Sequence, residues 1–457
     1  MSLPGDSVSI AGAGPTGALL AILLQRRGAQ VTLFESRPDP HGGAGESGRS
    51  INLALADRGI HALKLAGVFD EIRGALVPMR GRMVHRQDGS ASLQPYGLRP
   101  REVIYSISRQ RLNEALLSVA LRQPRVAVKF EHRLEDADFE ARVAQVRDLR
   151  HGLDVRVPMR PLLATDGAGS VMRRRMAALG LIEARESDLE HGYKELSIPA
   201  DAHGGYRMAR EALHIWPRGG YMLIALPNDD GSFTATLFLP RHGPLSFASL
   251  TSPSSIEQFL SADFPDARAL MPDCVAEFRR NPTGFLGTVY AAGWHASGIA
   301  ALVGDAAHAI VPFHGQGMNC CFEDCVELDA CAARHSSWQD VFEEFYGIRK
   351  PNTEAIAAIS LENYLEMRER VGDPKFQLQH SLALELERRF PDRFIPRYSM
   401  VMFHHEIPYV TALERGVIQA RLLNELTAGA AALQDIDYGL AEREIESRLA
   451  PIVISPG

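Results

Sequence analysis

Gly12, Gly14 and Gly17 stand in the spacing Gly-x-Gly-x-x-Gly, and Glu35 follows 21 residues after Gly14. Residues of these types at these intervals can hold a dinucleotide. The glycines permit a tight turn and let the backbone approach a pyrophosphate, whose charge meets the positive end of a helix starting near Pro15. A carboxylate at position 35 can accept both hydroxyls of an adenosine ribose. A glycine turn without a ligand is the alternative, and the flanking pattern argues against it. Val8 to Ala11 is a short apolar run, Ala18 to Arg27 are good helix formers ending at Gly28, and Gln30 to Glu35 returns as a strand. That order is a βαβ unit. It suits NAD or FAD and does not choose between them.

The cysteines offer less. Cys320, Cys321, Cys325 and Cys331 crowd into twelve residues, with Cys274 apart. None forms a Cys-x-x-Cys pair, and no histidine at ligand spacing joins Cys321 and Cys325, so small buried thiols packing a helix are expected rather than a metal site. Such usage suits a reducing cytoplasm.

The elements that position these residues follow from periodicity. Residues 37 to 50 read as a Gly-rich loop, and Asp57, a plausible N-cap, opens helical patterning that continues to Ala75. Arg109 to Leu121 carries Leu112, Leu116, Leu117 and Ala120 on one face, as an amphipathic helix does. Pro161 to Ala164 and Ile299 to Val303 read as buried strands. Between about 185 and 290 the runs become short, rich in strand formers and bounded by Pro, Gly, Asn and Asp. Beyond Ala330 the pattern is helical, with interruptions expected at Pro351, Pro374 and Pro391. The expected fold class is α/β: a Rossmann-like FAD-binding domain, an inserted antiparallel β-sheet substrate domain and a C-terminal helical domain. The expected boundaries are 1–184 for the first (with 74–100 contributing to the substrate side), 185–290 for the second, 291–330 for a return to the first, and 331–457 for the last.

With 457 residues, 46% hydrophobic and 23% charged, the chain can bury a large core. A net charge of -7 and a pI near 6.2 give no basic footprint. Nucleic acid is therefore an unsuitable partner and a small molecule the expected one. The N-terminus lacks the basic opening of a signal peptide, and no window approaches the roughly 18 apolar residues of a membrane span. A soluble, cytoplasmic protein is expected, as monomer or homodimer.

Two further segments carry the choice of cofactor. Ala301-Leu302-Val303-Gly304-Asp305-Ala306-Ala307-His308, followed by Pro312 and Gly315-Gln316-Gly317-Met318-Asn319, resembles the second FAD signature of the flavin-dependent aromatic hydroxylases. Ala164 to Arg173, with Asp166-Gly167, resembles the Asp-Gly motif that this family uses for FAD and NAD(P)H. The resemblance implies that Asp305 bonds the ribityl or ribose part of FAD, and that the helix opening at Gly317, with Met318 and Asn319, aims N–H groups at the flavin. Ala54 and Arg109 also match positions near FAD. A plainer reading makes Asp305 an N-cap and His308 a surface residue. No second βαβ fingerprint exists, so NADPH, with NADH not excluded, is expected only as a visitor.

Within that family, long stretches resemble the kynurenine 3-monooxygenases. Among them are Gly48 to Leu55, Met79 to His85, Gln94 to Gly97, His191 to Leu196, His214 to Pro217, Pro312 to Cys320, Leu361 to Tyr364 and Phe394 to Met400. The resemblance covers nearly the whole chain, and the missing membrane anchor of the mitochondrial members points to a soluble, bacterial type. It implies that Arg82, Tyr96, Asn363 and Tyr398 hold a substrate carboxylate and that Phe238, Phe313, Met367 and Ile224 wall an aromatic ring. An arginine fork with tyrosine hydroxyls and an amide is chemistry that a carboxylate needs. A structural ion pair at Arg82 is the alternative. The implied reaction is 3-hydroxylation of L-kynurenine by O₂ through a flavin C4a-hydroperoxide, without a dedicated protein base. Hydroxylation of a related aryl amino acid is a rival, and so is a flavin NAD(P)H oxidase or binding protein that does not hydroxylate.

Overall fold

The computed structural model describes residues 7–40, 52–370 and 373–452. It divides into two compact units, each built from three stretches of chain. The first takes residues 1–75, 108–188 and 287–357, and the second takes 76–107, 189–286 and 358–457. No helix among the described residues is long and apolar enough to cross a membrane.

In the first unit, strand Ser7–Ala11 lies between Gln30–Glu35 and Leu162–Ala164. Val126–Phe130 and Ala300–Leu302 extend the parallel sheet on its two sides, and His295–Ala296 closes one edge antiparallel. In the two central strands Val8, Ile10, Val31 and Leu33 are completely buried, while Ser9 and Thr32 between them are only partly covered. Helix Pro15–Arg26 begins with a proline whose missing N–H would have been unpaired there anyway. Its apolar run Ala18 to Leu24 is fully covered. His132–Asp138, Val143–Asp148 and Leu153–Pro158 form a small antiparallel sheet of their own.

Three local expectations are corrected. The helix expected from Asp57 to Ala75 stops at Leu65, because Gly67 turns the chain at φ +65°; short helical turns Phe69–Ile72 and Arg73–Ala75 follow. Asp57 is its first helical residue and Ala56 holds the cap position. Pro351 lies inside helix Trp338–Leu365 rather than interrupting it. The proline removes only the ladder donor to Gly347 O, and the helix continues on both sides of it.

The second unit is organised on a sheet in which Glu183–Ile198, Phe233–Pro240, Met222–Pro227, Ala212–Pro217, Gly81–His85 and Ala91–Pro95 follow one another. All neighbours are antiparallel except Ala212–Pro217 and Gly81–His85, which run parallel. One face carries Leu196, Trp216, Leu223, Ala225, Ala235 and Leu237 into a core completed by Ile256, Phe259, Phe264 and Phe278. These last come from helices Pro253–Asp263 and Cys274–Arg280 and, for Phe264, from the junction between Pro253–Asp263 and Pro265–Leu270, helices which the strand-rich reading of 185–290 did not contain. The helices Pro374–Arg389, Arg397–Phe403, Tyr409–Leu426 and Tyr438–Arg448 belong to this unit. Leu382, Leu386, Leu422, Ala441 and Ile445 form an apolar core among them.

Candidate functional site

Strand Ser7–Ala11 ends at Gly12, whose φ of +97° turns the chain; a Cβ there would sit 2.5 Å from Thr165 O. Only glycine fits. A Cβ on Gly17 would meet Gly12 O at 2.0 Å. Gly14 differs, for no atom lies within 4 Å of its Cβ position. The turn is thus closed on the protein side and open at Gly14, the space a pyrophosphate takes at the helix N-terminus.

Glu35 ends the next strand beneath this turn. Its Oε2 accepts Ala13 N at 2.8 Å, and its Oε1 accepts Arg37 N and Arg37 Nε, both at 2.9 Å. Burial pushes its carboxyl up, but bonding and charge from Arg37 hold it below the usual carboxylate range. A ribose reaching Glu35 therefore shares it with Arg37, or displaces the arginine's side chain, which is 47% exposed.

Asp166 follows strand Leu162–Ala164. Its Oδ2 accepts Val171 N at 2.8 Å and Met172 N at 3.3 Å, capping helix Val171–Ala178. Its Oδ1 is buried without a hydrogen-bond partner among the described residues, and burial raises the carboxyl. Such an orphaned acceptor fits a hydroxyl or N–H donor supplied from outside the chain. Asp305 opens the short helix Asp305–His308 after Gly304, whose φ is +67°. It is half-buried, and Cys321 Sγ lies 3.5 Å from its Oδ1. Arg109 is exposed at the start of helix Arg109–Leu121.

Gly317, Met318 and Asn319 form the first turn of the 18-residue helix Gly317–Arg334, where backbone N–H groups have no helical partner. Asn319 does something more specific. Its Oδ1 accepts Ala56 N at 2.9 Å, and its Nδ2 donates to Ala54 O and Gly315 O, both at 2.8 Å. The side chain is thereby used in clamping strand Asn52–Leu55 to the loop before the helix. Asn319→Ala leaves three backbone groups to find new partners, at about 1–3 kcal/mol for each one left buried and unsatisfied. The expected result is a rise in the FAD dissociation constant of about 10- to 100-fold, read by fluorescence titration of the apoprotein. A lowered Tm with unchanged FAD affinity would confine Asn319 to packing.

His308, read in one view as a surface residue, is buried and bonds Asp324 through Nε2. Asp324 Oδ2 also accepts Gly304 N at 3.0 Å, and its Oδ1 accepts Arg349 Nε at 2.7 Å. Arg349 further pairs with Glu323, which pairs with the buried Arg58. Burial alone would raise both carboxyls; Arg349, with Arg58 at Glu323 and His308 at Asp324, holds them below the usual range. This balanced network fixes the Gly304 turn from behind. The ligand atoms of His308, Cys320 and Asp324 lie within 4.8 Å of one another, but the Arg349 guanidinium already sits among them, bonded also to Cys320 O at 3.3 Å. The five cysteines are free and buried, and burial pushes their thiols up, Cys331 to about 12. Such thiols are poor nucleophiles.

In the second unit, strand pairing places Arg82, Ile224 and Phe238 on one face of the sheet, opposite the helix-covered core. Leu213 pairs with Arg82, Ile215 with Ile224, and Met222 with Phe238. Arg82 is 9% exposed. The Tyr96 and Tyr398 rings stack at 5.1 Å between centroids, and Arg82 Cζ lies 5.8 Å and 5.1 Å from them. Burial works against the Arg82 charge, yet Tyr398, Tyr96 and Glu366 more than offset it. Burial also raises both tyrosines, so they stay neutral and can donate. Arg82 Nη1 lies 3.5 Å from Glu366 Oε1. Glu366 follows helix Trp338–Leu365 in a π-turn, and Asn363 and Met367, one helical turn apart, bond to each other at 3.3 Å (Nδ2 to Sδ). Arg82, Tyr96 and Tyr398 are thus brought together, with Asn363 and Met367 flanking the glutamate that meets Arg82. Phe313 belongs to the first unit, buried in the turn Pro312–His314.

Residues 6–241 match the family described as FAD binding domain. Kynurenine 3-monooxygenase of Myxococcus xanthus is 45% identical over 448 residues, covering 98% of this chain and 96% of that protein. The enzyme of the same name from Stenotrophomonas maltophilia is 48% identical over 443 residues, with 97% of each covered. The chain belongs to the kynurenine 3-monooxygenase family. Among solved structures, 2-methyl-3-hydroxypyridine-5-carboxylic acid oxygenase aligns with a TM-score of 0.65 at 19% identity, over 83% of this chain and 97% of that one. PqsL of Pseudomonas aeruginosa, in complex with 2-aminobenzoylacetate, aligns with a TM-score of 0.64 at 22% identity, over 80% and 97%. These two share the fold.

Seen as a family member, the chain holds functional candidates that sequence reasoning missed. Arg37 was hidden because Glu35 looked complete in itself, although an arginine two residues beyond the strand was visible. Glu366 lay between two named positions, Asn363 and Met367, on one helical face. Asp324 and Arg349 gave no local signal, since their partners come from other parts of the chain.

Proposed function

We propose that this chain is an FAD-dependent monooxygenase that hydroxylates L-kynurenine at ring position 3, using NADPH and O₂. Full-length identity of 45–48% to kynurenine 3-monooxygenases carries the reading. The convergence of Arg82, Tyr96 and Tyr398 supports it, because an amino acid substrate brings a carboxylate. Bound FAD, reduced by the nicotinamide, supplies the activated oxygen. Gly12, Gly14, Gly17, Glu35, Ala54, Arg109, Asp166, Asp305, Gly317 and Met318 would hold it, with Asn319 positioning the backbone.

The residues of the second unit bind and orient. Arg82 grips the carboxylate, Tyr96 and Tyr398 donate to its remaining lone pairs, and the Asn363 amide completes the set. Ile224, Phe238 and Met367 offer apolar surface to the ring and exclude water from it. No side chain is assigned as acid or base. NAD(P)H as reductant and five reduced, buried cysteines favour a cytoplasmic setting.

The holoprotein incubated with NADPH and L-kynurenine is expected to yield a product one oxygen atom heavier by mass spectrometry. Hydrogen peroxide without that product would sink the hydroxylase reading, and faster turnover of a substituted aryl amino acid would move the substrate.

A further inference from the structure

Beside Tyr96 the second unit buries two carboxylates against one guanidinium. The segment after Tyr96 turns back on Glu102, whose Oε2 accepts Leu98 N at 2.7 Å and Arg99 N at 2.8 Å. Its Oε1 accepts Arg99 Nη1 at 2.7 Å. The carboxylate lies so close over Gly97 that a Cβ there would be 2.3 Å from Oε2. Glu102 therefore shapes the turn that starts at Tyr96, and as an anion its bonding capacity is well used.

Glu387, from helix Pro374–Arg389, reaches the same arginine. Its side chain is 0% exposed, its Oε1 is 3.3 Å from Arg99 Nη1, and its Oε2 has no hydrogen-bond partner among the described residues. The two charged groups that act on it are Glu102, which repels a second anion, and Arg99, which attracts one. On its own helix, Arg388 and Arg389 are spent on Glu385 at the surface. Arg415, from helix Tyr409–Leu426 alongside, bonds the backbone oxygens of Arg393 and Ala450 instead. One guanidinium already satisfied by Glu102 cannot neutralise a second carboxylate with a buried, unpartnered oxygen. Neutral Glu387 avoids that cost. Burial first, then Glu102, pushes its carboxyl up to about 7.

We propose that Glu387, Arg99 and Glu102 form a proton-controlled latch on the turn that presents Tyr96, closed while Glu387 is protonated and loosened when it ionises. An ionised Glu387 competes with Glu102 for Arg99, and the strain falls on the Gly97–Arg99 backbone that Glu102 holds. Tyr96 is the next residue. The link to substrate rests on the reading that Tyr96 donates to the kynurenine carboxylate.

Two measurements on the FAD-loaded enzyme test this between pH 6 and 8.5. The first is the Kd of L-kynurenine, followed by the flavin absorbance of the oxidised holoprotein. It is expected to rise about 5-fold or more as pH climbs through neutrality. In Glu387→Gln, the neutral isostere, Kd should stay near its low-pH value throughout. The second is hydrogen exchange at the Leu98 and Arg99 amides, corrected for intrinsic rates. Protection should fall over the same range in the wild type and not in Glu387→Gln. An unchanged pH profile of exchange in Glu387→Gln, or flat exchange in the wild type, would overturn the latch. Exchange that responds as expected while Kd stays flat would overturn the assignment of Tyr96 to the carboxylate.

Discussion

Arg82→Ala is expected to lower kcat/KM for L-kynurenine by about 10- to 200-fold. A hydrogen bond to a charged group is worth about 1.5 to 3 kcal/mol, and about 1.4 kcal/mol corresponds to a decade. The site argues that the loss is functional rather than structural. Arg82 sits on the sheet face away from the helix-covered core, and the Glu366 side chain it leaves behind is 25% exposed, so water can serve that carboxylate. Tyr96 and Tyr398 remain stacked on each other without it. Arg82→Lys should recover only part of the activity, since an ammonium cannot present two parallel N–H groups. Decarboxylated kynurenine removes the partner instead of the arginine. It should lose far less between wild type and Arg82→Ala than kynurenine does. Equal losses for both ligands would show that Arg82 supports the fold.

Arg349→Met should cost about 3 to 5 kcal/mol of stability, because removing one member of a buried ion network leaves uncompensated charge. Arg349 is 2% exposed and serves Asp324, Glu323 and Cys320 O together. For domains of about 150 to 250 residues, at roughly 2 to 4 °C per kcal/mol, this lowers Tm by roughly 6 to 20 °C. Thermal melts at matched FAD concentration measure it, since the ligand itself stabilises by mass action. Arg349→Met combined with Asp324→Asn should be less harmful than the sum of the two single changes, because the double variant buries no orphaned charge at that position. A loss below about 1 kcal/mol in the single variant would mean that water enters and solvates the network.

How much of this was legible in the sequence differs from place to place. The dinucleotide turn was readable because glycine spacing, helix start and Glu35 are one local signal, and Gly12 and Gly17 prove sterically irreplaceable. The parallel strands were readable as short apolar runs at Val8 to Ala11, Pro161 to Ala164 and Ile299 to Val303. Helices Pro253–Asp263 to Cys274–Arg280 were missed because a region rich in short strand-like runs was read as all strand, although Ile256, Phe259 and Leu260 stand at helical spacing after the Ser252 cap. Pro351 misled because a proline removes one ladder bond, which a long helix packed along its length survives. At the site, Arg82, Tyr96 and Tyr398 were named through family resemblance, not from spacing. Their residue numbers are scattered, and only β pairing and helix packing collect them. The same holds for Glu102 with Glu387 and for Asp324 with Arg349, whose meaning lies wholly in long-range partners. The part of the Gly48 to Leu55 motif before Asn52 lies outside the described residues.

The parallel sheet of the first unit also governs how the protein is made. Its strands Ser7–Ala11, Leu162–Ala164 and Ala300–Leu302 are neighbours in space but emerge from the ribosome far apart. At about 5 to 20 residues per second, the last follows the first by roughly 15 to 60 s. Once made, Leu162–Ala164 exposes an unpaired edge for roughly 7 to 27 s of that interval before Ala300–Leu302 follows, and contacts of such high sequence separation form slowly even once complete. Overexpression should therefore favour aggregates of incomplete chains, and slower synthesis at low temperature should raise the yield of folded protein.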